Sequence, residues 1–175
     1  MKIVVTGRAG FDGSKRIYED EKTRKKLLER YSESFFGVFE DHDTRPVKDI
    51  SVLRFGKSLE KALSDGTAEN GADGGVLAAL WRLLHRNHMG AEFSLRSIPM
   101  IQQTVEICES TGRDPYRLGA GEVNVWITAD DDALLREAEE AGICAAVIGF
   151  TVPGPAIVRN DGVVRAFLRR PEEEK

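Results

Sequence analysis

The 175-residue chain has little of what would mark a disulfide-built, metal-built, membrane or nucleic-acid-binding protein. Its two cysteines, Cys108 and Cys144, cannot make a disulfide framework. Both sit among apolar residues, so the expectation is a reduced protein with buried thiols. Three histidines leave little imidazole for a metal cluster. No apolar run approaches the ~20 residues that span a bilayer, and no basic start leads into an apolar export segment. Basic residues are outnumbered, 25 Lys+Arg against 29 Asp+Glu, for a net charge of -4. That balance gives no general reason to expect nucleic acid, whose phosphates demand a basic face. The local clusters Arg24-Lys25-Lys26 and Arg169-Arg170 have acidic neighbours and read as solvated faces. No internal repeat or low-complexity linker is present. The expectation is a cytoplasmic protein with no membrane and no nucleic-acid partner.

What is there is ordinary globular material, 41% hydrophobic and 31% charged. A chain of this length buries roughly 70% of its unfolded surface and needs no staple to fold. It reads as one domain over 1–170 with a frayed tail at 171–175. Lys2–Thr6 is a β-branched strand, and Gly7, Gly10 and Gly13 follow as a loop. Ser14 is placed to cap a highly charged surface helix running to about Tyr31. Ser34–Phe39 is a second short helix or turn, and Asp41–Pro46 a polar loop. From Ile50, the residues Val52, Phe55, Leu59 and Leu63 recur at helical spacing until Asp65-Gly66. Ala91–Leu95 is a short strand. Pro99 opens a helix with Ile101, Val105 and Cys108 on one face, ended by Thr111-Gly112. Glu122–Thr128 is a strand, and Asp130 caps a helix that stops at Gly142. Cys144–Val152 is an apolar strand, and Asn160-Asp161-Gly162 marks a hairpin. The fold class is α+β, a mixed β-sheet with helices packed mainly on one face.

The most informative stretch is Asn70-Gly71-Ala72-Asp73-Gly74-Gly75, which runs into the apolar helical stripe Val76, Leu77, Leu80, Trp81 and Leu84. With Asp73 as N-cap, it presents a helix N-terminus whose free amides suit an anion. The plainer alternative is a capped helix start whose glycines permit close packing.

Five segments, VVTGRAGFDGS, GADGGVLAALW, EICESTGRDPYRL, GAGEVNVWIT and EAGICAAVIGFTV, occur in the order found in one known domain. Together they resemble the C-terminal domain of the AIR synthase (PurM-like) superfamily, nearest to its hydrogenase maturation factor (HypE-like) branch. The resemblance implies that a C-terminal-type domain closes over nucleotide phosphates supplied by an N-terminal ATP-binding domain, and that this half is absent here. It also identifies departures. The family's Asp-x-Thr-Glu-Gly-Gly has Asn70, Ala72 and Asp73 at its first three polar positions, while Gly74 and Gly75 match. Ala72 removes a hydroxyl and Asn70 a charge. The family's Ser-Ser-Gly-Ser loop is Gly119-Ala120-Gly121-Glu122, which adds a carboxylate that would repel phosphate. The terminal carrier cysteine of the maturation factor is replaced by Glu174-Lys175.

The candidate ligand-binding residues are therefore Asn70, Asp73, Gly74, Gly75, Gly121 and Glu122, with no catalytic set. No metal site is expected: His85 and His88 lack a third ligand, and Asp130, Asp131 and Asp132 complement a helix dipole without one. Cys108, Trp81 and Trp126 read as core residues. The expected function is a stand-alone small-molecule or phosphate-binding or assembly module, as a homo-oligomer. The alternative is one half of a split ATP-dependent enzyme, in which ATP or another phosphate ligand would bind only with a separately encoded ATP-binding subunit.

Overall fold

The structure is a computed structural model that describes residues 1–40 and 55–171. Seven strands form one sheet: β1 (Lys2–Thr6), β2 (Ala68–Gly71), β3 (Gly90–Phe93), β4 (Ala120–Thr128), β5 (Ala145–Val152), β6 (Ile157–Asn160) and β7 (Arg165–Phe167). Their spatial order is β2-β4-β1-β5-β3-β6-β7. All neighbouring pairs run antiparallel except β3 and β6, which are parallel, so the sheet is mixed. The described helices are α1 (Phe11–Glu19), α2 (Glu21–Leu28), α3 (Gly37–Glu40), α4 (Phe55–Asp65), α5 (Gly75–Arg86), α6 (Gln102–Thr111) and α7 (Asp131–Glu140). None of them is long and apolar enough to cross a membrane.

The alternation of β1 divides the core. Ile3 and Val5 point into a cluster with Leu80, Leu83 and Leu84 of α5, whereas Val4 points to the opposite face with Phe55, Trp126, Leu134 and Ala138. Ile3, Val4 and Val5 are all fully buried, as a central strand covered on both sides requires. Trp126 donates its ring N–H to Thr6 Oγ1 at 2.9 Å, which satisfies both buried polar groups. A third cluster, built from Phe11, Tyr18, Leu27, Phe36, Phe39 and Ile107, joins α1 and α2 to α6.

Several local expectations change. α1 starts at Phe11 behind Gly10, whose φ of 70° only glycine adopts freely, so Ser14 is not its cap. Ser14 is buried instead, with its hydroxyl on Phe11 O and Thr104 Oγ1. The charged helix breaks at Asp20, which caps α2 by accepting from Thr23 N at 2.9 Å. It is not a pure surface element, because Tyr18 and Leu27 anchor it in the third cluster. α6 buries Thr104, Ile107 and Cys108, while Val105 faces outward. Cys108 is buried as expected, but Cys144 is exposed because it precedes β5. The polar strand β2 carries no apolar alternation and gave no strand signal. The Asp41–Pro46 loop, the Ile50 and Val52 end of the α4 stripe, and residues 172–175 of the tail lie outside the described residues.

Candidate functional site

Strands β2 and β4 bring the two candidate loops together. Their register pairs Asn70 with Asn124 and then shifts, so that Gly71 lies opposite Ala120. The extra residues of β4 bulge beside Asn70. The Asn70 side chain fills this step: its Nδ2 lies 2.9 Å from Gly121 O, 2.9 Å from Asn124 Oδ1 and 3.3 Å from Val123 O. Its Oδ1 accepts from Ala72 N at 2.8 Å, closing an Asx turn at the start of the glycine-rich segment. A carboxylate has no proton to give those three acceptors. Asparagine in the aspartate position is therefore the residue that this geometry requires.

The helix start beyond it is closed rather than open. Gly74, at φ 72°, is the N-cap of α5, and no side chain caps the helix. Asp73 is not the cap, because the two left-handed glycines turn the chain after it. Its side chain is exposed. Gly75, at φ 74°, lies against the facing loop: a Cβ there would stand 2.5 Å from Tyr116 O and 2.7 Å from Leu118 O. The first-turn amide of Leu77 already donates to Tyr116 O at 3.3 Å. Farther along the same loop, a Cβ on Gly119 would stand 2.5 Å from Ala72 O. Arg82, two turns up α5, reaches back to tie the segment down. It donates to Asn70 O at 3.0 Å, Asp73 O at 3.0 Å and Glu69 Oε1 at 2.8 Å.

Glu122 is likewise held within the fold. Arg8 binds it through Nε and Nη2 at 3.2 Å each, and the Arg8 main-chain N–H adds a third contact at 3.2 Å. Burial pushes the Glu122 carboxyl above its ordinary range and outweighs the opposing pull of Arg8. The Arg8 guanidinium also stacks on the Phe11 ring at 3.8 Å. Gly121 N donates to Asp12 Oδ2 at 2.8 Å. Asn70 thus bonds Gly121, Gly75 packs on the loop of Tyr116 and Leu118, Gly121 N turns to Asp12 of α1, and Glu122 turns to Arg8. Asp73 and Gly74 lie on the exposed rim of this junction.

The remaining candidates behave structurally. Among the described residues, no group of three or more His, Cys, Asp or Glu side chains is arranged to hold a metal. Asp130 caps α7 through Ala133 N at 3.1 Å. The His85 ring stacks on Trp81 at 4.5 Å. Burial pushes the Cys108 thiol up to about 11, so it is an inert core thiol. Sequence reasoning missed Arg8, Asp12, Arg82 and Asn124. Arg82 left a signal: with Arg86 four residues on, it interrupts the apolar stripe of α5 on one side. The partners of Arg8 and Asp12 lie more than a hundred residues away, so local pattern carried no trace of them.

No family model matches the sequence, and no curated protein matches it. Solved structures do. Hydrogenase maturation protein HypE in complex with ATP is similar over 96% of this chain and 50% of its own, at 14% identity and a TM-score of 0.64. HypE of E. coli is similar over 99% and 50%, at 20% identity and a TM-score of 0.65. Thiamine-monophosphate kinase from Stenotrophomonas maltophilia is similar over 89% and 48%, at 19% identity and a TM-score of 0.57. The chain therefore spans about half the length of these structures. The fold of this chain is that of the C-terminal portion of PurM-like proteins, the superfamily its sequence segments resemble.

Proposed function

We propose that the chain works as a small-molecule-binding or assembly module of the PurM-like fold, without complete catalytic machinery of its own. One observation carries this reading: two of the side chains that stand at the family's polar positions are used internally, Asn70 on Gly121 and Asn124, and Glu122 on Arg8. Both amide protons of Asn70 and three acceptor positions of the Glu122 carboxylate are engaged within the fold, which leaves each little capacity for a substrate. In this reading the glycine-rich segment keeps its backbone shape because two loops must pack, with a rim that includes Ala72, Asp73 and Gly74 open to a small ligand. Assembly into a homo-oligomer is supported by exposed apolar residues of the β6–β7 hairpin: Val163 in its turn is 94% exposed and Phe167 on the edge strand β7 74%. Calorimetric titration with Mg-ATP and light scattering test the proposal together. Weak or absent nucleotide binding, no turnover and a mass above that of the monomer are expected. Tight Mg-ATP binding with turnover by this chain alone overturns it.

A second reading is a split ATP-dependent enzyme that pairs with a separately encoded ATP-binding subunit. It is favoured by the half-length likeness to HypE, one of whose structures holds ATP. Affinity capture of the tagged chain from its native cells should then retain a protein of the complementary half. Failure to retain one removes the reading.

A further inference from the structure

We propose that the groove between α1, α2 and the C-terminal end of α6 is a second, independent binding site, for a small phosphate-bearing molecule. The groove has a volume of about 660 Å³ and is lined by Arg16, Lys22, Lys26 and Arg113, with Asp20 as its one carboxylate. Lys22 and Lys26 stand one turn apart on α2, so their ammonium groups share a face and repel. Arg16 approaches from α1, and Arg113 follows Gly112, the left-handed C-cap of α6. Lys22, Lys26 and Arg113 form no ion pair among the described residues. The Asp20 carboxylate is occupied as a cap, accepting from Thr23 N and Thr23 Oγ1. Asp20 offsets Lys22 in part, but four cations against one carboxylate leave the groove with a positive excess in a protein of net charge -4, which favours an anion.

The rest of the lining fits an organic phosphate better than a bare counter-ion. Ser110 offers a hydroxyl that makes no hydrogen bond among the described residues. Ile17 and buried Leu27 supply an apolar floor for the body of a ligand whose phosphate meets the guanidinium and ammonium groups. The neighbouring groove across α2 shows the contrast: there the three cations Lys22, Arg24 and Lys25 meet two carboxylates, Glu21 and Glu29, and are more nearly balanced. This inference does not rest on binding at the glycine-rich junction, although the two adjoin through α1: Arg16 Nη2 would stand 3.7 Å from a Cβ on Gly119, and Asp12 accepts from Gly121 N.

The test is an amide-resolved NMR titration with inorganic pyrophosphate at constant ionic strength. Saturable 1:1 shifts are expected over residues 20–26 and 110–113. The double variant Lys26→Ala/Arg113→Ala should raise the dissociation constant by about tenfold or more, whereas Lys25→Ala, one charge lost from the more nearly balanced groove, should change it by less than about twofold. All three side chains are exposed, and the unperturbed amide spectrum of each variant verifies its fold. Three results overturn the proposal: no saturation, an equal loss in Lys25→Ala, or shifts centred on Gly74, Gly75 and Val76. The last would instead place the anion at the glycine-rich segment and contradict the closed junction as well.

Discussion

An aspartate at position 70 should harm this protein. In Asn70→Asp, the two 2.9 Å bonds that Nδ2 gives to Gly121 O and Asn124 Oδ1 are lost together. Net worth of about 0.5–1.5 kcal/mol apiece makes ~1–3 kcal/mol. The new carboxylate oxygen would also face three acceptor oxygens, which adds repulsion on the order of 1 kcal/mol in this half-exposed place. A total of roughly 2–4 kcal/mol lowers the melting temperature of a chain this size by about 4–16 °C. Asn70→Ala escapes the repulsion but also gives up the bond from Ala72 N that an aspartate keeps, so at pH 7 the two variants should be destabilised by similar amounts. Near pH 3 the aspartic acid regains a proton and one donated bond, so Asn70→Asp should then overtake Asn70→Ala. Urea unfolding at pH 7 and pH 3 reads both comparisons. An Asn70→Asp protein as stable as the native one at pH 7 would refute the reasoning.

Three further outcomes follow from the same junction. Gly75→Ala combines a left-handed backbone with a Cβ driven against Tyr116 O and Leu118 O and should cost more than ~3 kcal/mol, whereas Gly112→Ala, at φ 67° with open space around it, should cost about 1–2 kcal/mol; chemical denaturation compares them. Arg82→Ala removes two bonds to segment carbonyls and the pair with Glu69, for a loss of about 1–3 kcal/mol and faster amide exchange from Ala72 to Gly75. Glu122 has its folded pKa raised by burial, so its contribution is fully present below the unfolded carboxylate pKa and is lost as pH rises through the folded one. The stability advantage of the native protein over Glu122→Gln should therefore narrow from pH 4 to pH 7, and a gap that widens over that range would contradict the assignment.

Much of the fold was legible because its elements signal locally. The β-branched run Lys2–Thr6, the alternation of Glu122–Thr128 and the turn at Asn160-Asp161-Gly162 each specify their own structure, and β1, β4 and the β6–β7 hairpin stand where they point. The break at Asp20 was hidden by a continuous run of helix-forming charged residues, although Asp20 followed by Thr23 is itself a cap pattern. β2 was hidden because Ala68-Glu69-Asn70-Gly71 gains its strand shape from pairing with β4, not from its own side chains. The chemistry of the candidate residues was not legible, because what each binds is set by partners remote in sequence. Arg8 reaches Glu122 across 114 positions and Asp12 reaches Gly121 across 109. Only the folded arrangement reveals that the asparagine amide and the added carboxylate already have their partners.

The closed junction is tested most directly at one backbone proton. Leu77 N–H lies in the first turn of α5, where a helix has no acceptor of its own, and here it donates to Tyr116 O. In an open anion cradle that proton would face solvent. Native-state hydrogen exchange of the ligand-free protein should show Leu77 protected by about a hundredfold or more, along with the deeper amides of α5. Exchange of Leu77 at the rate of an unprotected amide, accelerating no further in Gly75→Ala, would show the helix start to be open and contradict the account.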